Sequence, residues 1–209
     1  MKKLFLGIYK QSNLVTFIGL ICSITGISML LSPSVVGNHL NNVSMSMILL
    51  ILAGIFDMFD GSYANRFKRT EKEKEFGVQL DSLADTISFV VFPIILLLKV
   101  MNNSLISLNI AIFYACAGVM RLGYFNITKE ENNGYFIGLP VTFSAVIFPT
   151  LYLFLQLLNF NYYNIIMPIA FLITAFAFIL NFKFKKPDLK FSFCMLFFAF
   201  FIIAGYCLL

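Results

Sequence analysis

Long apolar runs separated by short polar segments dominate this chain. A helix that crosses a bilayer needs about 20 mostly apolar residues. Seven stretches approach or meet this length: 14–32, 44–64, 77–99, 105–126, 137–158, 162–181 and 190–208, of which the last is short. The pattern therefore predicts an all-α fold, a polytopic membrane helix bundle of about seven transmembrane helices, with six to eight as the range.

Composition supports lipid as the solvent of this chain. Of its 209 residues, 60% are hydrophobic and only 12% are charged, whereas soluble domains carry about 25% charged residues. The net charge of +5 does not indicate a nucleic-acid partner, because the basic residues lie in short clusters between apolar runs. The four cysteines lack CxxC spacing, so we expect neither a zinc site nor a disulfide framework.

The basic clusters also predict the orientation of the chain in the membrane. They alternate with the loops 33–43, 100–104 and 159–161, which contain no Lys or Arg. By the positive-inside rule, the N-terminus and the loop 65–76 lie in the cytoplasm. We expect residues 1–12 to form a cytoplasmic interfacial segment and residues 13–209 to form one transmembrane domain.

Four of the ten acidic residues lie in the second and third predicted spans. Asp57 and Asp60 are near the cytoplasmic end of the second, and Asp81 and Asp85 are near the cytoplasmic start of the third. Spacings of three and four residues place each pair on one helix face, and the short loop makes the two helices antiparallel neighbours. We therefore predict that the four carboxylates converge.

Converging carboxylates repel one another unless a cation neutralises them. Hard oxygen ligands suit Mg²⁺ or Mn²⁺, and Ca²⁺ is a further option. Carboxylates within spans also serve as proton relays, so an ion-coupled transporter is the alternative from another functional class. The second half of the chain has no matching pair of intramembrane acids, which disfavours a transporter built from two repeats.

The residues around these acids resemble the signature of the CDP-alcohol phosphotransferase family. That signature reads D-x-x-D-G-x-x-A-R, then eight residues, then G-x-x-x-D-x-x-x-D. Seven positions of this chain agree with it: Asp57, Asp60, Gly61, Ala64, Gly77, Asp81 and Asp85.

Two features depart from the signature. Asn65 stands where the family has Arg, with Arg66 directly after it. The interval from Asn65 to Gly77 is eleven residues instead of eight. The additional length falls in the charged stretch 68–75, which predicts a solvated helical extension. Arg66 either replaces the family's arginine, or that contact is absent.

Further stretches resemble the phosphatidylserine synthase branch of that family: 13–16, 80–85, 121–126 and 136–140. The resemblance implies transfer of a phosphatidyl group from CDP-diacylglycerol to L-serine, with phosphatidylserine and CMP as products of phospholipid biosynthesis. The alternatives within the family are glycerol phosphate, inositol or inositol phosphate as the acceptor. The resemblance also implies that the protein forms a homodimer. A bacterial plasma membrane, with the site facing the cytoplasm, is the expected location.

The resemblance also implies roles for single residues. Asp57, Asp60 and Asp81 would hold up to two divalent ions, and Asp85 would take the proton from the serine hydroxyl while also contacting a metal. The residues expected to contact CDP-diacylglycerol are Thr16, Gly61, Ala64, Arg66 and Gly77.

Arg121 is an arginine within an apolar run. It either extends to the membrane interface or binds an anion with its planar guanidinium. The serine carboxylate and the lipid phosphate are both candidates for that anion, and Asn126 is expected to assist.

Overall fold

A computed structural model describes residues 11–32, 39–128, 135–158, 162–185 and 189–208. Most of the expected interfacial segment, residues 1–10, lies outside them. Within these ranges the chain forms eight α-helices: α1 (Leu14–Leu31), α2 (His39–Ala64), α3 (Glu71–Asp85), α4 (Phe92–Val100), α5 (Leu105–Thr128), α6 (Ser144–Leu157), α7 (Tyr163–Ile179) and α8 (Leu189–Leu208). The prediction of an all-α membrane bundle is confirmed, with two three-residue strands as its only extended elements in the described ranges.

The helices include five that are long and apolar enough to cross a membrane. One of them is the continuous helix Glu71–Val100, which joins α3 to α4, and the last is Lys190–Leu208 with 19 residues. The shorter apolar helices are Val141–Leu157 and Tyr163–Ile179. The helix of the last predicted span is therefore long enough to cross a membrane. The helices of the fifth and sixth predicted spans are the shorter ones.

The charged stretch 68–75, predicted to be a helical extension, is helical only from Glu71 onward. Helix α3 begins at Glu71, and a capping box at Thr70 and Glu73 stabilises its first turn. The carboxylates Asp81 and Asp85 therefore lie in the last part of α3, beyond a polar first half.

The fifth predicted span starts later than the apolar pattern suggests. Instead of a helix from residue 137, the chain forms β1 (Tyr135–Ile137), which pairs antiparallel with β2 (Lys183–Lys185). Gly138 follows with φ +70°, a conformation that favours glycine, and Pro140 precedes a 3₁₀ turn, Val141–Phe143. This ribbon ties the α5–α6 connection to the α7–α8 connection.

A π-helical segment, Thr86–Val91, joins α3 to α4. Pro93 lacks the N–H that would bond the Phe89 carbonyl in a regular α-helix. That carbonyl instead accepts hydrogen bonds from the Tyr114 hydroxyl at 3.0 Å and the Ser144 hydroxyl at 3.2 Å. The irregular segment is therefore bonded to α5 and α6, directly after Asp85.

Aromatic side chains form much of the core between α5, α6 and α7. Phe148 and Phe171 stack with ring centroids 3.9 Å apart, and Tyr114 packs against both rings. Helix α8 is joined to α6 by a hydrogen bond of 2.6 Å from the Tyr206 hydroxyl to the Pro149 carbonyl. These contacts hold the helices that surround the site.

Candidate functional site

Three of the four predicted carboxylates form a compact group. One carboxylate oxygen from each of Asp57, Asp81 and Asp85 lies within 4.8 Å of the others, and all three side chains are half-buried. Asp57 lies in the last third of α2, and Asp81 and Asp85 lie one turn apart on α3. The predicted convergence of carboxylates from the second and third spans is therefore present for three of the four acids.

Asp60 lies beside this group and not within it. Its Oδ2 accepts a hydrogen bond of 3.2 Å from the Thr16 hydroxyl of α1. It nevertheless lines the same cavity as the other three carboxylates. Thr16, expected to contact the lipid donor, thus contacts a predicted metal ligand, and the roles of both residues stay predictions.

The donor chemistry of the group fits a divalent cation. Three carboxylates this close repel one another when ionised, and a cation between them relieves that repulsion. Carboxylate oxygens are the ligands that Mg²⁺, Mn²⁺ and Ca²⁺ prefer. Asp57, Asp81 and Asp85 could therefore hold one such ion.

The carboxylates line a cavity of about 330 Å³, within the range of small-molecule sites. Its other polar or charged lining residues are Arg121, Thr142 and Ser192. The remaining wall is apolar, and α8 contributes part of it: Phe191, Met195, Leu196 and Ala199. The cavity therefore joins an acidic wall to an apolar one.

Arg121 is only 5% exposed, so it does not extend to a surface of the bundle. Its Nε donates to the Leu139 carbonyl at 3.1 Å, and its Nη2 donates to the Gly138 carbonyl at 3.4 Å. Its Cζ lies 5.5 Å from the centroid of the Phe125 ring. Among the described residues no acceptor bonds Nη1, so part of the guanidinium remains available in the cavity.

Asn126 does not join Arg121 in the cavity lining. Its amide and the Ser82 hydroxyl are hydrogen-bonded to each other, at 2.8 and 3.1 Å. Because Ser82 follows Asp81, this pair fixes α5 against the carboxylate-bearing part of α3. The predicted binding role of Asn126 stays a prediction.

Of the residues expected to contact CDP-diacylglycerol, Gly61 and Ala64 lie at the end of α2, Arg66 in the α2–α3 connection and Gly77 in the middle of α3. A Cβ atom added to Gly61 would meet no described atom within 4 Å. Ala64 is buried. The Arg66 side chain is exposed and forms no hydrogen bond or ion pair within the described ranges. Arg69 lies beside Gly77, with its Nη1 3.6 Å from the position that an added Cβ atom on Gly77 would occupy.

Sequence reasoning did not identify Thr142 or Ser192. Thr142 belongs to the 3₁₀ turn that replaces the start of the predicted fifth span, and Ser192 is one of the few polar residues in the mostly apolar helix α8. Neither position belongs to a recognisable motif, so their place in or near the site becomes visible only once the helices are packed.

Comparisons with known proteins show which proteins this chain is similar to. The family model described as CDP-alcohol phosphatidyltransferase matches residues 10–177, which include all four carboxylates and end before α8. CDP-diacylglycerol–serine O-phosphatidyltransferase of Methanocaldococcus jannaschii is 36% identical over 124 residues, which are 59% of this chain and 57% of that protein. The Bacillus subtilis protein of the same name is 31% identical over 148 residues, 69% of this chain and 76% of that protein.

A third relative, archaetidylserine synthase of Methanothermobacter thermautotrophicus, is 33% identical over 113 residues, 54% of this chain and 48% of that protein. The chain thus spans about half of two of these relatives and about three quarters of the other.

Proposed function

Because the chain belongs to the CDP-alcohol phosphatidyltransferase family, we propose that it transfers the phosphatidyl group of CDP-diacylglycerol to L-serine. The products are phosphatidylserine and CMP. The observation that carries this proposal is the group of three carboxylates within 4.8 Å of one another, in a cavity that also contains Arg121 and an apolar wall. The serine-specific names of the relatives support serine as the acceptor.

We propose that Asp57, Asp81 and Asp85 hold a divalent cation, Mg²⁺ or Mn²⁺, with Asp60 available as a ligand of the same or a second ion. When bound, such an ion neutralises the charge of the pyrophosphate and of the departing CMP. The ligand chemistry of the carboxylates supports this assignment.

Asp85 is the proposed base. It accepts the proton of the serine hydroxyl as the hydroxyl oxygen forms a bond to the phosphorus that carries diacylglycerol. The bond between that phosphorus and the oxygen bridging to CMP breaks, and CMP leaves with the electron pair. We propose direct displacement, without a phosphatidyl-enzyme. Among the described residues no His or Cys lines the cavity, and the two hydroxyl side chains that do, Thr142 and Ser192, form no hydrogen bond to a base.

Arg121 supports an acceptor that carries a carboxylate. A guanidinium binds a carboxylate with charge-assisted hydrogen bonds, and the Arg121 fork is already held by two carbonyls. It is the only cationic side chain among the described residues that line the cavity. Glycerol phosphate and inositol phosphate bring a second phosphate that would require more positive charge, and inositol lacks the carboxylate.

The proposed setting is a bacterial plasma membrane. The carboxylates lie near the basic connection between α2 and α3, which the positive-inside rule assigns to the cytoplasm. Serine and CMP would exchange there, while the lipid enters from the bilayer. We further propose that residues 13–209 form one transmembrane domain and that the protein acts as a homodimer, as its family resemblance implies.

The test is product formation by the purified protein with CDP-diacylglycerol and Mn²⁺ or Mg²⁺. Serine, glycerol phosphate, inositol and inositol phosphate are each supplied in labelled form in separate reactions. We expect the wild type to form labelled lipid only in the reaction that contains serine. We expect Asp85→Asn to form none. Glu71→Gln is the matched control, because Glu71 is an exposed acid paired with Lys74 outside the cavity. If labelled lipid forms with another acceptor, that acceptor replaces serine in the proposal. If no acceptor gives a metal-dependent product, the result favours the transporter alternative.

A further inference from the structure

Arg69, in the connection between α2 and α3, lies beside Gly77. The family signature does not include this arginine. The Arg69 side chain is half-buried, and its Nη2 donates a hydrogen bond of 3.1 Å to Asn65 Oδ1. Its Nη1 lies 3.6 Å from the position that a Cβ atom on Gly77 would occupy. Asn65 stands where the signature has arginine. Its side chain accepts a hydrogen bond from Arg69, an arginine four positions later in the chain.

The space around the two signature glycines is not explained by packing of the bundle. An added Cβ would meet nothing at Gly61, and at Gly77 it would meet only two polar side-chain atoms, at 3.6 and 3.7 Å. At Gly118, by contrast, it would lie 2.7 Å from Val90 Cγ2. Close helix packing therefore requires glycine at Gly118, whereas the room at Gly61 and Gly77 is available to a ligand.

The carboxylates Asp81 and Asp85 lie further along the same helix as Gly77, beside which the Arg69 guanidinium lies. Gly77 precedes Asp81 by one helical turn, about 6 Å along the axis, on the same face of α3. The guanidinium at Gly77 therefore flanks the carboxylates on the side of the α2–α3 connection. Arg66, in the same connection, is exposed and has no side-chain partner among the described residues.

We propose that Arg69, positioned by Asn65, binds a phosphate of the nucleotide half of the lipid donor. This inference rests on the proposed function, because it assumes a nucleoside diphosphate lipid as the ligand. A guanidinium binds phosphate oxygens with two parallel charge-assisted hydrogen bonds. The bond from one Nη2 hydrogen to Asn65 orients the guanidinium and leaves its other N–H groups to donate to the phosphate. The longer interval before Gly77 makes this arrangement possible, since it moves the arginine away from the end of α2.

The test compares two cationic residues of one connection, Arg69→Gln and Lys68→Gln. Loss of a charge-assisted hydrogen bond predicts that Arg69→Gln raises the KM for CDP-diacylglycerol about tenfold or more, with the KM for serine unchanged. Lys68→Gln should change either constant by less than about twofold, because the Lys68 side chain is exposed. Arg69→Lys should recover part of the loss, because lysine retains the charge but not the fork.

A binding measurement separates this inference from the proposed function. Equilibrium dialysis of labelled CDP with Mn²⁺ reports nucleotide binding without turnover. We expect weaker binding by Arg69→Gln, intermediate binding by Asn65→Ala and unchanged binding by Lys68→Gln. If the wild type binds CDP but makes no phosphatidylserine, the proposed function fails while Arg69 remains testable. Equal CDP binding by the wild type and Arg69→Gln, or an effect confined to the KM for serine, would overturn the inference, as would absence of CDP binding by the wild type.

Discussion

The hydrogen bond between Thr16 and Asp60 allows a quantitative prediction. Thr16→Val removes the hydroxyl that donates to Asp60 Oδ2 at 3.2 Å and keeps nearly the same side-chain volume. Hydrogen bonds to charged groups contribute about 1.5–3 kcal/mol. This bond is long and only part-buried, so we expect the lower limit, about 1.5 kcal/mol. Expressed as catalysis, that predicts a loss of about tenfold in kcat/KM for CDP-diacylglycerol.

The matched control is Thr25→Val, on the same helix. Thr25 is exposed, and its hydroxyl bonds the Ile21 carbonyl of its own helix at 2.8 Å, so its replacement should leave kcat/KM unchanged. Thr16→Ser keeps the hydroxyl and should restore most of the activity. The assay is initial-rate formation of labelled phosphatidylserine in mixed micelles at varied CDP-diacylglycerol. The reasoning is refuted if Thr16→Val behaves like Thr25→Val, or if Thr16→Ser is as impaired as Thr16→Val.

Three further predictions concern stability, the acceptor and the metal. Gly118→Ala should destabilise the protein by about 1–3 kcal/mol, measured by thermal unfolding in detergent, because the added Cβ would lie 2.7 Å from Val90 Cγ2. Val90→Ala should relieve most of that cost, and additive effects would contradict the contact. Arg121→Lys should raise the KM for serine about tenfold, whereas a change confined to the lipid donor would assign Arg121 to the lipid phosphate. EDTA should abolish activity, and Mn²⁺ should raise the unfolding temperature of the wild type but not of Asp57→Asn; an equal rise in both would contradict the carboxylate site.

The helices and the carboxylate pairs are predictable from the sequence because each signal is local. The length of an apolar run predicts a span, and spacings of three and four residues place Asp57 with Asp60, and Asp81 with Asp85, on one helix face. A short connection then makes neighbours of the two helices. The convergence of three carboxylates follows from these local rules, whereas the displacement of Asp60 toward Thr16 depends on how α1 packs.

The rest of the site depends on packing between segments that are distant in the sequence. The run 77–99 reads as one regular helix, and only Pro93 hints that the Phe89 carbonyl bonds Tyr114 and Ser144 instead. Ser192 reaches the cavity because α8 packs beside it, although α8 lies beyond the residues that match the family. No periodicity or motif encodes such contacts.

The most direct test of direct phosphatidyl transfer to serine is the stoichiometry of a single reaction. CMP and phosphatidylserine are measured together with the purified protein, CDP-diacylglycerol and Mn²⁺, in the presence and absence of serine. Direct displacement predicts one CMP for each phosphatidylserine and no CMP without serine. Release of CMP without serine, as hydrolysis or as a burst equal to the enzyme concentration, would contradict it, because another nucleophile would then attack the phosphorus first.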